Sequence, residues 1–222
     1  MSKTSVDYGI WDGLNDDGRS VAEVVVGHLM TPEARLEQWR PHLGWLPGNE
    51  GETVLDVGCG NGNYRRVFAD LKRMVYTGLD YSVEMVRLAR EANPGYEFLQ
   101  GDATALPCGD GAYDLVFCTD MLMHLSDEQE SAAISELRRV SRLYAVIHQR
   151  CLLAPPTICK QEKWGATYRY RPLDEVRADA LRLDPTVAFH VGGVWPAGGI
   201  NEREALDVYF IFLKGREGSH GD

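Results

Sequence analysis

The sequence predicts an α/β fold, a doubly wound, mostly parallel seven-stranded sheet that ends in an antiparallel C-terminal strand pair. Three observations carry this. From Glu52 onward, short β-branched or apolar runs alternate with helix-period segments, the pattern of β-α-β units. A glycine-rich loop follows directly on the first of those runs. The 222 residues are enough for a single sizeable core.

The strands read in order as Thr53 to Val57, Met74 to Leu79, Tyr96 to Gln100, Tyr113 to Cys118 and Leu143 to Gln149. Between the second and third, Ser82 caps a helix through Val83 and Val86 to Ala92, which Asn93-Pro94-Gly95 stops. Ser126 with Gln129 three residues on forms a capping box, opening a helix with Ile134, Leu137 and Val140 on one face. Cys151 to Arg171 shows no periodicity and reads as an irregular, substrate-facing excursion. Pro172 then stands in the first turn of a helix through Val176, Ala180 and Leu181. Val187 to Val191 and Leu206 to Leu213 finish the sheet as an antiparallel pair joined by a glycine-rich connection.

Upstream, Val21 to Met30 and Pro32 to Leu43 read as helices, preceded by Tyr8 and Trp11. The chain therefore divides into an N-terminal helical cap over 1–47, a core over 48–214 with the insertion at 151–171, and a disordered tail over 215–222.

Bulk properties narrow the function. A net charge of -10 argues against nucleic acid as the main ligand, because such binding draws on clustered Lys and Arg. No apolar run reaches the roughly 18 residues of a membrane span. Met1 to Tyr8 lacks the apolar core of a signal peptide, so a cytoplasmic protein is expected. The five cysteines show no C-x-x-C pairing, which fits neither a zinc site nor a disulfide framework. Nothing in the sequence specifies an oligomeric state.

The chemistry begins at Asp56-Val57-Gly58-Cys59-Gly60-Asn61-Gly62, after the first strand and before a helix containing Val67, Phe68 and Leu71. Glycines there permit a sharp turn and let a ligand lie against bare backbone, at the carboxyl ends of the strands where such folds bind nucleotides. The spacing is G-x-G-x-G, with Asn63 where a dinucleotide loop wants its last glycine, and no G-K-[ST] follows. Asp80 follows the second strand, 18 residues after Gly62, where a carboxylate accepts from both ribose hydroxyls. Asp102, after the third, is placed to accept from an exocyclic amine. Each alone also reads as a turn residue; together they describe an adenosine.

From Val54 to Leu125 the chain resembles the class I S-adenosylmethionine-dependent methyltransferases, which share a Rossmann-like seven-stranded sheet with a reversed terminal hairpin. The resemblance implies S-adenosylmethionine as cofactor. It places Asp56, Gly58, Cys59 and Gly60 at the methionine half, Asp80 on ribose, Tyr81 on adenine, Asp102 and Ala103 at its amine, and Thr119 across from them.

The run Tyr113 to Leu125 looks like the fourth-strand motif of the ubiquinone-biosynthesis type of small-molecule methyltransferase. That group often carries acid, acid, histidine at the end; here Asp120 and His124 stand but the intervening position is Met123, and no metal is expected. His124 is the candidate general base, since a free imidazole is largely neutral at cellular pH; a packing or backbone-bonding role stands equally beside it.

Tyr8 and Trp11 are candidates to close over the sulfonium or the acceptor, or else to anchor the N-terminal helices. Trp164, Tyr168 and Arg169 in the excursion, among further Lys, Tyr and Arg residues, suit an aromatic or anionic acceptor, or form a solvated loop. His148 and Arg150 end the fifth strand on the expected acceptor side.

The function that follows is methyl transfer to an oxygen or nitrogen of a small-molecule acceptor. Two alternatives remain: a protein that binds S-adenosylmethionine in a regulatory or other chemical role, and a nicotinamide-dependent oxidoreductase.

Overall fold

The computed structural model describes residues 12–13, 22, 31–161, 166–200 and 203–214. Its seven-stranded sheet is built from β1 (Thr53–Val57), β2 (Val75–Asp80), β3 (Glu97–Gln100), β4 (Tyr113–Cys118), β5 (Ser141–Leu152), β8 (Ala188–Ile200) and β9 (Arg203–Leu213), in the order β3-β2-β1-β4-β5-β9-β8. β1 pairs in parallel with β2 and β4, β2 with β3, and β4 with β5, whereas β9 runs antiparallel to both β5 and β8. The doubly wound sheet and its reversed pair are thus as the sequence reads.

Alternation along the central strands feeds two cores. Val116 and Cys118 face one side with Leu55, Val57 and Ile147; Leu115 and Phe117 face the other with Val54 and Val146. Every one of these side chains is buried, as expected of a parallel sheet covered on both faces.

Local chemistry sets the helices α1 (Pro32–Trp39), α2 (Val83–Ala92), α3 (Asp127–Val140) and α4 (Leu173–Leu183). Ser82 accepts from the Met85 amide to open α2, and the Ser126–Gln129 capping box opens α3 with both of its bonds made. The helix after the glycine loop is π-helical over Arg66–Leu71, its Val67 and Phe68 buried.

The upstream reading of Pro32 to Leu43 resolves into α1 and a 3-10 turn at Arg40–His42. Trp39, 1% exposed, meets Tyr64, Phe117 and Tyr209 edge-on at 5.4, 5.4 and 5.3 Å. Of the helix read over Val21 to Met30, Ala22 alone is described; it is helical and buried. The predicted tail at 215–222 lies outside the described residues.

Three expectations change. The stretch Cys151 to Arg171 is not irregular throughout, because β6 (Ile158–Gln161) and β7 (Thr167–Tyr170) pair as an antiparallel ribbon. β5 is longer than Leu143 to Gln149, because β9 keeps pairing with it out to Leu152↔Ala205. The glycine-rich stretch after Val191 is strand rather than connection: β9 offers a partner along its length, and β8 follows it with register shifts at Val191/Gly193 and Trp195/Ile200. A smaller difference is that Pro172 occupies the N-cap of α4, one residue ahead of the first turn.

Candidate functional site

The glycine loop is tied to β2 before any ligand is considered. The amides of Gly58 and Cys59 both donate to the Leu79 carbonyl, at 2.8 and 3.0 Å. Gly58 has φ +75°, and a Cβ there would stand 2.7 Å from Met121 Cγ and 2.8 Å from its Cβ. Gly60 has φ +53°, and among the described residues no atom lies within 4 Å of the place its Cβ would take, so they leave this stretch of backbone open.

Asp80 organises that space. Its Oδ2 accepts from the Gly60 amide at 2.8 Å and its Oδ1 from the Ser82 amide at 3.0 Å. Burial pushes its carboxyl upward, opposed by those two backbone bonds. The Tyr81 backbone is a third donor to this carboxylate, whose two oxygens still keep lone-pair capacity for a hydroxyl of a ligand. Ser82 Oγ donates to Asp12 Oδ1 at 2.6 Å, and the same oxygen accepts from the Glu84 amide at 3.1 Å, so a second acid stands at the N-terminus of α2.

The other predicted cofactor residues surround this pair in different ways. Asp56 is fully buried and accepts from the Tyr76 hydroxyl at 2.7 Å. The Cys59 thiol is packed into the core, and burial raises it well above its ordinary pKa, so Cys59 offers its backbone to the loop. Tyr81 is 38% exposed beside Asp80. Asp102 Oδ1 accepts from both the amide and the hydroxyl of Thr104 at 2.8 Å, forming a turn, with Ala103 against the core. Thr119 is buried, 2.9 Å from His148 Nδ1 and 3.4 Å from the Tyr64 hydroxyl.

These groups fit an adenosyl sulfonium: open backbone at Gly60, a carboxylate with spare lone pairs at Asp80, an exposed ring at Tyr81, and Asp102 at the next strand tip.

Beyond Thr119 lies a charged cluster. Asp120 leaves β4 with φ +53°, a conformation that costs a non-glycine residue energy and is held by its surroundings. His148, 4% exposed, sits between two acids, with Nδ1 3.3 Å from Asp120 Oδ1 and Nε2 3.2 Å from Asp207 Oδ1. Burial alone would lower this imidazole; the carboxylates of Asp120 and Asp207 overcome it and raise the ring to about 9. His148 is therefore an imidazolium at neutral pH. Arg150 Nε reaches the same Asp207 oxygen at 3.3 Å.

Asp207 carries no motif and was not among the predicted site residues. The sheet register selects it, pairing Arg150 with Asp207 and His148 with Tyr209 across β5 and β9.

His124 ends the 3-10 turn Leu122–His124, its Nδ1 3.0 Å from the Thr167 carbonyl and its ring 4.5 Å from that of Tyr168. The carbonyl can only accept, so Nδ1 carries the proton and Nε2 is the acceptor nitrogen. Burial lowers this imidazole and keeps it neutral. The backbone-bonding role foreseen for it is present; His124 does not line the pocket described next.

That pocket opens beside the cluster, with Asp120, Met121, His148, Arg150 and Arg169 in its wall. Arg169 pairs with Asp127 and Glu130 of α3, and Arg171 with Glu130 at 3.2 Å and with Asp179. Gln149 Nε2 also donates to Glu130, at 2.8 Å. Glu130, another residue that sequence reasoning missed, is 4% exposed and anchors the β6–β7 ribbon beside the pocket. Tyr168 is half-buried on β7 and stacks toward Tyr170. Tyr8, Trp11 and Trp164 lie outside the described residues.

Comparison with known proteins agrees with this arrangement. Residues 54–142 match the family described as methyltransferase domain. The chain is 35% identical over 105 residues to a malonyl-[acyl-carrier protein] O-methyltransferase of Pectobacterium atrosepticum, covering 47% of this chain and 40% of that protein. It is 34% identical over 92 residues to a demethylmenaquinone methyltransferase of Renibacterium salmoninarum, covering 41% and 38%. The chain thus spans about two fifths of the length of the curated relatives it matches. Among solved structures, an S-adenosylmethionine-dependent methyltransferase from Methanosarcina mazei superposes with a TM-score of 0.61 at 20% identity, over 79% of this chain and 97% of that one. Residues 54–142 are thus similar to the methyltransferase domain, and the sheet order with its reversed terminal pair is the fold of the S-adenosylmethionine-dependent methyltransferase on which the chain superposes.

Proposed function

We propose that the protein transfers a methyl group from S-adenosylmethionine to an oxygen or nitrogen of a small-molecule acceptor. The observation that carries this reading is the bond between the Gly60 amide and Asp80, which fixes bare backbone and a carboxylate with spare lone pairs around one open space. Asp80 would take the ribose hydroxyls, Tyr81 the adenine face, Asp102 and Ala103 the exocyclic amine, and Asp56, Gly58, Cys59 and Gly60 the methionine half, with Thr119 across from them. The cofactor supplies an electrophilic methyl on a sulfonium.

The protein's part is to hold the acceptor lone pair in line behind that methyl, where orientation alone lowers much of the barrier. On this reading the acceptor lies beside Asp120, which with Asp207 pairs His148 and Arg150; Arg169 of the β6–β7 ribbon lines the wall there, and Tyr168 would cover it. For an acceptor that must lose a proton, His124 is neutral and has Nε2 as acceptor nitrogen. A net charge of -10 supports a small-molecule acceptor over nucleic acid.

Calorimetry with S-adenosylhomocysteine tests the reading. Wild type should bind it, and Asp80→Ala, which removes charge-assisted bonds to ribose, should weaken binding about tenfold to a hundredfold. An unchanged affinity in the variant removes the basis of the assignment. Thermal stabilisation by NAD instead would favour an oxidoreductase, and binding without turnover across phenols, amines, carboxylates and sugars would favour a regulatory role.

A further inference from the structure

The pocket beside Asp120 adjoins the cofactor loop through one residue. Met121 lies against Gly58 and also lines the pocket, so whatever occupies the pocket sits next to the methionine end of the proposed cofactor site. Its wall is cationic. Arg150, Arg169, Arg171 and the imidazolium of His148 face two lining acids, Asp120 and Glu130, with Asp207 behind His148 as a third, in a chain whose net charge is -10. The remaining acids that offset the arginines lie further out: Asp127 is 83% exposed, Glu175 52% and Asp179 31%, where solvent screens them.

Besides Asp120 Oδ1, a buried oxygen that faces His148 Nδ1 at 3.3 Å, the hydrogen-bonding ledger of the wall is open at Arg169 and Gln149. Arg169 spends its Nη atoms on Asp127 and Glu130, but its Nε, buried, has no acceptor among the described residues. Gln149 gives its Nε2 to Glu130 and is 9% exposed, yet its buried Oε1 has no donor among the described residues. Buried polar groups are rarely left this way, and both residues line the same pocket and flank the same carboxylate. A ligand that satisfies them brings an acceptor with negative charge for the guanidinium and, beside it, a hydrogen for the amide oxygen.

We propose that this pocket seats a carboxylate of the methyl acceptor, with Arg169 Nε as its donor and Gln149 Oε1 accepting from a hydroxyl or N–H next to that carboxylate. The term acceptor rests on the methyltransferase reading; the anion site itself does not.

The test uses the intact protein saturated with S-adenosylhomocysteine and two matched probes, mandelate and mandelamide, which share the α-hydroxyl and differ in charge. Mandelate should bind at least about tenfold more tightly, the scale of one charge-assisted hydrogen bond. Arg169→Lys keeps a cation but removes Nε, and should abolish most of that preference while leaving S-adenosylhomocysteine affinity unchanged. Equal affinity for the two probes overturns the proposal, as does no measurable binding of mandelate up to its solubility limit. A preference that survives Arg169→Lys overturns the assignment of Arg169. The wild-type comparison stands even if the variant fails to fold. Should mandelate bind while S-adenosylhomocysteine does not, the methyltransferase reading fails and the anion site remains.

Discussion

Raising the pH removes a proton from His148, and the structure says what that removal costs. In the unfolded chain this imidazole titrates near 6.5; in the fold, against the carboxylates of Asp120 and Asp207, it titrates at about 9. A group whose folded value is raised stabilises fully below the unfolded value, and its contribution disappears as pH climbs through the folded one. With the ring 4% exposed, solvent screening discounts the gap little, and it corresponds to about 3 kcal/mol. Urea unfolding of wild type and His148→Gln, from below pH 6.5 to above about 9, measures it. Wild type should lose about 3 kcal/mol that the variant does not lose over the same interval. Parallel stability curves, or an NMR titration placing the His148 ring near its free value, would refute the reasoning. On the acid side the sign reverses, since His42, His124 and His190 are lowered by burial and cost stability as pH falls below 6.5.

Other perturbations have equally definite expectations. Gly58→Ala forces a side chain into left-handed backbone and onto Met121, and should lower stability by about 1–3 kcal/mol in thermal melts while weakening S-adenosylhomocysteine binding. Glu130→Ala strips Arg169, Arg171 and Gln149 of their shared buried partner; denaturant unfolding should show a loss of about 3–5 kcal/mol. Trp39→Ala empties the contact with Tyr64, Phe117 and Tyr209 and should cost about 3–5 kcal/mol, read as a lowered melting temperature.

The parts of the fold legible in the sequence are those whose causes are local. β1 and β4 match their predicted limits residue for residue, because a glycine loop ends the first and Tyr113 opens the second after a polar turn. The Ser82 cap and the Ser126–Gln129 box are made by neighbours in the chain. What escaped depends on distant partners. β5 gains length from β9, and the β6–β7 ribbon closes across residues whose pattern shows no period of two.

The site divides along the same line. The proposed cofactor residues hang from strand tips next to turn residues, so Asp80 and Gly60 are visible from spacing alone. Asp207 lies mid-strand, and only register puts it under His148 and Arg150. Glu130 reads as a solvated acid in the first turn of α3, a common position for one, yet partners from β5 and β7 and beyond bury it.

The place of β5 in the sheet has an evolutionary corollary. It is a seam: parallel to β4 on one side, antiparallel to β9 on the other, and it starts at Ser141, where the matched domain ends at residue 142. The residues proposed to hold the cofactor are encoded before the seam, while His148, Arg150, Arg169, Arg171 and Asp207 are encoded after it. On the proposed reading, recombination at that joint would exchange acceptor preference while keeping the cofactor site, with two stitches to respect. An incoming C-terminal half must bring a cation for Asp120 and an arginine for Glu130, or the hybrid inherits stranded acids in its interior.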